Sequence, residues 1–222
     1  MSKLPQRKIN PHRHLTSSSP EKAAPDPAAL GAESHQRLEA AVLEVFSKVD
    51  FHEANIRTIA KMAGVSFSTI YKYYDSKEGL LFHFVDKRLS VLTERMVDHL
   101  KGIENLKDKM RKVFWLQLDY YERNPELGRI IFMTVPLTTW MHDKTFVQNK
   151  LISIFLEVMR QGQKEGILNP EVKVGILLDV MYGLVQRSFF MWIYRGQTYS
   201  LSSLANPLFE MCWRAMSNPA RD

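Results

Sequence analysis

The sequence predicts an all-α chain of about nine helices, a small three-helix N-terminal unit followed by a larger helical domain. Three observations carry that expectation. Apolar residues recur at three- and four-residue spacing in one stretch after another. No run alternates with the period of two that a half-buried strand requires, and no internal repeat stands out. Asn, Gly and Pro stand at the ends of the periodic stretches, where helices are capped and stopped.

Residues 1–33 are rich in Pro, Ser, Ala and charge without a sustained apolar period, and they read as a disordered tail. Its basic start, KLPQRKINPHRH, is of the kind that other DNA binders lay in a groove, although a merely solvated tail is the preferred reading. The first helix is expected over 34–48, with Leu38, Val42, Val45 and Phe46 as its apolar stripe. The second carries Ile56, Ile59, Ala60 and Ala63 on one face. Asn55 can cap its start, and Gly64 can end it, because glycine takes left-handed backbone angles without a steric penalty. Val65 plugs the core, Ser66 caps the next turn, and a third helix runs over about 67–74. The fourth opens at Ser76 and continues to about Gly102, burying Leu80, Leu81, Phe84, Leu89, Leu92, Met96 and Leu100.

The remainder is punctuated just as clearly. Leu106 to Arg123 is amphipathic and ends at Asn124-Pro125-Glu126, an Asn cap followed by proline at the first helical position. A helix over about 143–165 ends at Gly166. The same triplet, Asn169-Pro170-Glu171, then reads as the opening of a helix to about Arg195, the most apolar in the chain. Leu201, Leu204, Leu208, Met211, Cys212 and Ala215 form a last stripe, which Pro207 either kinks or delays.

Two short helices across a tight turn, the second bearing Ser68, Thr69, Tyr71, Lys72 and Tyr73, make the pattern of a helix-turn-helix. Residues 60–80 read AxxAGVSxxTxYxYYxSKxxL, with Ile59 before them. This pattern resembles the DNA-binding domain of the TetR/AcrR family of one-component transcriptional regulators, over roughly 34–82. The resemblance implies a DNA-binding domain at 34–82, a ligand-binding and dimerisation domain at 83–217, and a short tail at 218–222. It also implies phosphate contacts for Tyr71, Tyr73 and Lys77, a packing role for Tyr74, and repression more often than activation. Two positions depart from the usual pattern: Asp50 stands where a glycine is common, and Phe67 where a polar or basic residue is common.

The residues add their own reading. Arg57 can reach a phosphate or a base, and Ser66 lies at the turn. Ser68, Thr69 and Lys72 are the candidate base readers, and Phe67 can meet a thymine methyl or pack. The net charge of +6 suits nucleic acid, yet residues 34–84 hold six charges of each sign. The electrostatic case therefore rests on where Arg57, Lys61, Lys72 and Lys77 sit, with Glu39, Glu44 and Glu53 turned away.

In the larger domain Phe114, Trp115, Leu118, Tyr121, Phe132, Phe155, Met159, Tyr182 and Gln186 are candidates to line a pocket for a small hydrophobic effector. For any one of them taken singly, a plain packed core is the preferred reading. Arg187, inside an apolar run, needs an acidic ligand group, a carboxylate across a dimer interface, or solvent at a rim.

Other classes are disfavoured. One cysteine, Cys212, excludes an internal disulfide, fits a reducing cytoplasm, and sits in an apolar stretch as a buried thiol. The seven histidines show no zinc spacing, and His12 and His14 in the tail offer a transient metal site at most. There is no phosphate-cradling glycine loop and no nucleophile elbow, so no enzyme, cofactor or metal is expected. No apolar run approaches the roughly 20 residues that span a bilayer, and the polar start has no signal-peptide core, which points to the cytoplasm. The expected partners are double-stranded DNA, a second copy of the chain and a small-molecule effector. The competing reading is a structural DNA-associated protein that recruits a protein partner without an effector.

Overall fold

A computed structural model describes residues 26–141 and 147–221. Among these residues there are ten α-helices and no strand. The first four are α1 (Ala32–Phe46), α2 (Ile56–Ala63), α3 (Phe67–Tyr74) and α4 (Lys77–Leu100). They are followed by α5 (Leu106–Arg123), α6 (Pro125–Arg129), α7 (Leu137–Met141), α8 (Val147–Lys164), α9 (Val174–Tyr194) and α10 (Ala205–Met216). The fold class is the one expected.

Most boundaries follow the local chemistry. Asn55 Oδ1 accepts from Arg57 N at 2.8 Å, Ser66 Oγ from Thr69 N at 3.0 Å, Ser76 Oγ from Gly79 N at 2.9 Å and Asn105 Oδ1 from Asp108 N at 3.1 Å. Each satisfies an amide that a helix leaves free in its first turn. Gly64 ends α2 at φ 65°, ψ 33°, the left-handed conformation expected of it. Between α3 and α4, Asp75 adopts φ 57° and Ser76 N donates to Tyr74 O at 2.6 Å, a three-residue turn. That turn brings α4 so close that a Cβ on Gly79 would lie 2.3 Å from Tyr74 O, so only glycine fits there.

α1, α2 and α3 pack with the start of α4 around Leu38, Phe46, Ile59, Ile70, Tyr74 and Phe84, all buried. α4 then runs out of this unit to pack on α5 and α8. α5 is the mast of the larger domain and touches α4, α6, α9 and α10. Cys212 is buried as expected, and burial pushes its thiol up to about 11.

Several expectations are corrected. The tail assigned to 1–33 lies outside the described residues up to 25, but its end is built in: Pro27–Leu30 forms a 3-10 turn, Leu30 packs on the core, and α1 starts at Ala32. Residues 217–221 are likewise tied down, since Asn218 N donates to Ile167 O at 3.0 Å and Asn218 Nδ2 to Gly166 O at 3.0 Å. Asp50 does not take a positive φ; among the described non-glycine residues only Asp75 and Gln197 do. Its carbonyl instead accepts from Glu53 N and Ala54 N at 2.9 and 3.1 Å, a turn that needs no glycine.

Asn169-Pro170-Glu171 does not open α9, which starts at Val174. An antiparallel bridge pairs Leu168 with Ser217, and Gln163 Nε2 donates to Asn169 O and Val172 O, both at 2.7 Å. Those carbonyls are thus taken before a helix could use them, and Asn169 Oδ1 caps a local turn at Glu171 N instead. Pro207 falls in the first turn of α10, where its missing N–H leaves no helical bond unmade. Finally, α9 with its 21 residues is long and apolar enough to cross a membrane by length and composition, contrary to the expectation of no such run. Its Leu177, Leu178, Met181, Val185, Phe189 and Trp192 are buried against the bundle.

Lys77 gives the fold its first test. Its ammonium donates to Phe51 O at 2.7 Å and to His52 O and Ala54 O at 3.4 Å, and sits 4.5 Å from the centre of the Phe51 ring. Lys77→Ala strands these carbonyls and should lower unfolding stability by about 1–3 kcal/mol in a denaturant titration. A change below about 0.5 kcal/mol would show that the contacts contribute little.

Candidate nucleic-acid interface and effector core

The exposed face of α3 is built from its own capping. Ser66 Oγ, which caps the helix, lies 2.8 Å from Ser68 Oγ and 2.7 Å from Thr69 Oγ1, so three hydroxyls cluster at the start of the helix. Phe67, Ser68, Tyr71 and Lys72 are exposed, and Thr69 and Tyr73 are half-buried. The opposite face, Ile70 and Tyr74, is buried. Tyr74 packs its ring against His83 and Phe84, with centroids 5.2 and 5.8 Å away, and burial lifts its phenol to about 12. The helix is thus locked from behind with its hydrogen-bonding groups outward.

Arg57 joins this face from α2, with its guanidinium 5.4 Å from the Phe67 ring centre. The Phe67 ring in turn lies 4.7 Å from that of Tyr71, so both aromatics are held while 42% and 40% exposed. Packing against Arg57 and Tyr71 accounts for an apolar side chain at position 67 without a direct polar contact to a base. Lys72 lies over Tyr73 at 5.5 Å and makes no ion pair among the described residues. Of the acidic residues near this unit, Glu39 pairs with Lys87 at 2.7 Å and Arg88 at 2.5 Å, and Glu44 pairs with Lys48. Eight of the nine residues marked out in the sequence therefore gather on or beside one face. Lys77 stands apart, because its ammonium already serves the carbonyls behind that face.

The nine candidates for an effector pocket do not form one site. Tyr121 and Phe132 meet Phe189 in an aromatic cluster, with ring centres 4.8 Å (Tyr121–Phe132), 5.5 Å (Phe132–Phe189) and 6.0 Å (Tyr121–Phe189) apart. Tyr182 lies near enough for its charge to bear on Tyr121, and burial pushes its phenol up to about 12. Leu118 is fully buried, while Phe114 turns to Phe209 of α10, 6.0 Å away. Phe155 and Met159 line a separate apolar cavity of about 80 Å³ with Leu100, Met110, Val113 and Met181. Trp115 faces an outer cleft instead, with Lys112 Nζ 4.4 Å from its ring. Gln186 is exposed and lines neither space, because its side of α9 faces outward. Arg187 shares that face, exposed, with its guanidinium over the Phe190 ring at 5.7 Å.

Two residues that the sequence reading passed over matter here. Gln117 is buried in α5 with no partner for its Nε2. Thr134 ends a π-helical turn, Ile130–Thr134, that continues α6. Its Oγ1 donates to Phe46 O at 2.6 Å, and its carbonyl accepts from Phe51 N at 2.9 Å. One turn thus carries Phe132 into the aromatic cluster and Thr134 onto the α1–α2 loop. The only hint in the sequence is a lone threonine in the apolar run RIIFMTVPL.

Two family models match in tandem: bacterial regulatory proteins of the tetR family over residues 38–84, and the C-terminal region of YsiA-like proteins over 85–215. The chain is 24% identical over 187 residues to the fatty acid metabolism regulator protein of Bacillus subtilis (strain 168), covering 82% of this chain and 95% of that protein. It is also 24% identical over 158 residues to the HTH-type transcriptional regulator UidR of Escherichia coli (strain K12), covering 67% and 78% of the two. Among solved structures, the transcriptional regulator FadR from Bacillus subtilis in complex with stearoyl-CoA superposes with a TM-score of 0.70 at 22% identity, over 80% of this chain and 97% of that one. At such identities the superposition shows a shared fold.

The α3 geometry yields a direct test of base reading. Ser68, Thr69 and Lys72 lie three and four residues apart, on one side of the helix. Lys72→Ala should relax the preference at one base pair per half-site, costing about 1–3 kcal/mol on the best site and less on random DNA. Competition over a library of sites, wild type beside mutant, measures it; an unchanged base profile would make Lys72 a phosphate contact only.

Proposed function

The chain belongs to the TetR family of bacterial regulatory proteins, which are DNA-binding transcriptional regulators, and from that premise we propose that it is a dimeric repressor released from a palindromic operator by an apolar effector. The observation that carries the reading is the α3 face: a helix capped by Ser66, locked behind by Ile70 and Tyr74, and outwardly furnished with hydroxyls, Tyr71 and Lys72. Phosphate contacts by Arg57, Tyr71 and Tyr73 would set the register, and Ser68, Thr69 and Lys72 would read the bases. Selecting bound fragments from genomic DNA with the purified protein tests it. A dyad-symmetric site with half-sites about one helical turn apart is expected, whereas recovery without sequence preference would refute it.

The effector reading rests on the larger domain. The cavity beside Phe155 and Met159 is smaller than the roughly 300 Å³ of ordinary ligand sites, so an effector has to widen the bundle as it enters. Gln117 offers an unpaired amide donor beside the aromatic cores, where a carbonyl of an effector would relieve it. The relative solved with stearoyl-CoA makes a long-chain acyl thioester the first compound to try. An effector chain long enough to reach from that cavity into the aromatic cluster would displace Phe132, and the π-helical turn would carry that displacement through Thr134 to Phe46 and Phe51 in the DNA-binding unit. Thr134→Val keeps the fold's volume but deletes the hydroxyl. It should leave operator affinity near wild type and raise the stearoyl-CoA concentration for half-release by about 5-fold or more in a fluorescence-anisotropy titration. Equal release curves would remove Thr134 from the path.

Dimerisation is assigned to the outward face of α9. Ile176, Val180, Arg187, Phe190 and Tyr194 are exposed there at helical spacing, and Gly183 between them has open space beyond its Cα. Met211 of α10 is also exposed, by 55%. Such a stripe lets two helices approach closely and buries its apolar load against a second copy. Val180→Arg should give a monomer by light scattering and cut operator affinity at least about 10-fold, because the two half-sites then bind independently. A dimer of unchanged mass would place the interface elsewhere.

A further inference from the structure

His35 of α1 and His83 of α4 meet behind the recognition helix, 48 residues apart in sequence, with their Nε2 atoms 3.1 Å from each other. We propose that this pair is a binding site for a divalent transition-metal ion such as Zn²⁺, which ties α1 to α4 at the back of the DNA-binding unit. The geometry leads to the ion. Two imidazole nitrogens that share one metal at the usual bond length of about 2.05 Å, and stand 3.1 Å apart, subtend about 98° at it. That angle falls between the square and the tetrahedral arrangement; the rings now meet nearly end-on, their centres 5.3 Å apart, so each tilts slightly about its side-chain bonds to aim its nitrogen at a shared ion. One nitrogen of each ring, Nε2 in both, faces the other, as two ligands to one ion must.

The surroundings suit a weak, open site. Both rings are half-buried, and His35 lines a cleft with Gln36, Glu39 and Lys87 that admits solvent. Burial, aided for His35 by Lys87 and for His83 by His35 and Lys87, lowers the affinity of both rings for protons and leaves their lone pairs available. The charge of Lys87 is met by Glu39 at 2.7 Å, and Glu39 itself lies one turn after His35. The carboxylates of Asp26 and Glu39 bear electrostatically on His83. No three His, Cys, Asp or Glu side chains form a ready-made set among the described residues, so water fills the remaining positions and the affinity is that of two imidazoles. The ring of Tyr74, the last residue of α3, contacts His83 at 5.2 Å, so an ion held here braces the helix that reads DNA.

The test uses the full chain carrying His12→Gln and His14→Gln, so that the N-terminal histidines bind nothing. Titration with ZnSO₄ in a calorimeter should show one ion per chain, and the same ion should raise the midpoint of thermal unfolding. His35→Gln and His83→Gln, each added singly, should abolish both effects. Should either variant fail to fold, Cu²⁺ added to the parent protein decides instead, since electron paramagnetic resonance counts the nitrogens on the ion and two are expected. No heat and no rise in midpoint in the parent protein would mean that the pair is a hydrogen bond between neutral rings and nothing more. Binding that survives both substitutions, or a Cu²⁺ spectrum without two nitrogens, would equally overturn the site.

Discussion

Phe51 is held from two sides, and both domains depend on the hold. Its amide donates to Thr134 O at 2.9 Å, while its carbonyl accepts Lys77 Nζ at 2.7 Å. Its ring stacks on Phe46, 5.8 Å away and only 20° from parallel, and lies under the Lys77 ammonium. The α1–α2 loop is therefore pinned at once to the larger domain and to the first residue of α4. Each bond contributes on the order of 1 kcal/mol net, but losing one leaves a shielded backbone group unpaired, which costs more than the bond gave. A short loop held in this way transmits position and does not absorb it.

The charges inside the molecule follow a related rule. Glu39 is nearly buried and is met by two cations, Lys87 and Arg88. Asp119, also nearly buried, is met by Arg95 at 3.1 Å and Arg123 at 2.8 Å. Taking a carboxylate out of water is unfavourable by several kcal/mol, and two partners with good geometry are what offset it. Three of the four cations sit on or beside α4, and Tyr120 of α5 adds a hydrogen bond to Arg88 O at 2.5 Å. α4 is thus fixed at its start to the DNA-binding unit and along its length to α1 and α5, although it spans both domains.

What the sequence made legible was local. Asn55, Gly64, Ser66 and Ser76 act on residues two to four positions away, so the helices they bound could be drawn from the string alone. The same kind of signal failed at Asn169-Pro170-Glu171, where the outcome depends on the bridge between Leu168 and Ser217, 49 positions apart in the chain. Gln186 went astray for another reason: α9 is apolar nearly all round, and a helix without a polar face does not announce which side packs inward. Position in the resemblance suggests a phosphate for Lys77, whereas the fold brings three carbonyls to its ammonium from a loop 23 to 26 residues earlier. The outward residues of α3 were readable because a short helix with Ile70 and Tyr74 on one side leaves them only one direction.

That division of α3 into a locked side and an outward side has a consequence for how such a protein can change over generations. Ser68 and Lys72 are exposed, so substitutions there have little effect on whether the chain folds, and on the reading proposed above they would change the preferred site. Ile70, Tyr74 and Gly79, a few positions away, have no such freedom. A duplicated gene could therefore drift to a new target sequence through single, individually viable steps, while its scaffold and its response to an effector are inherited intact.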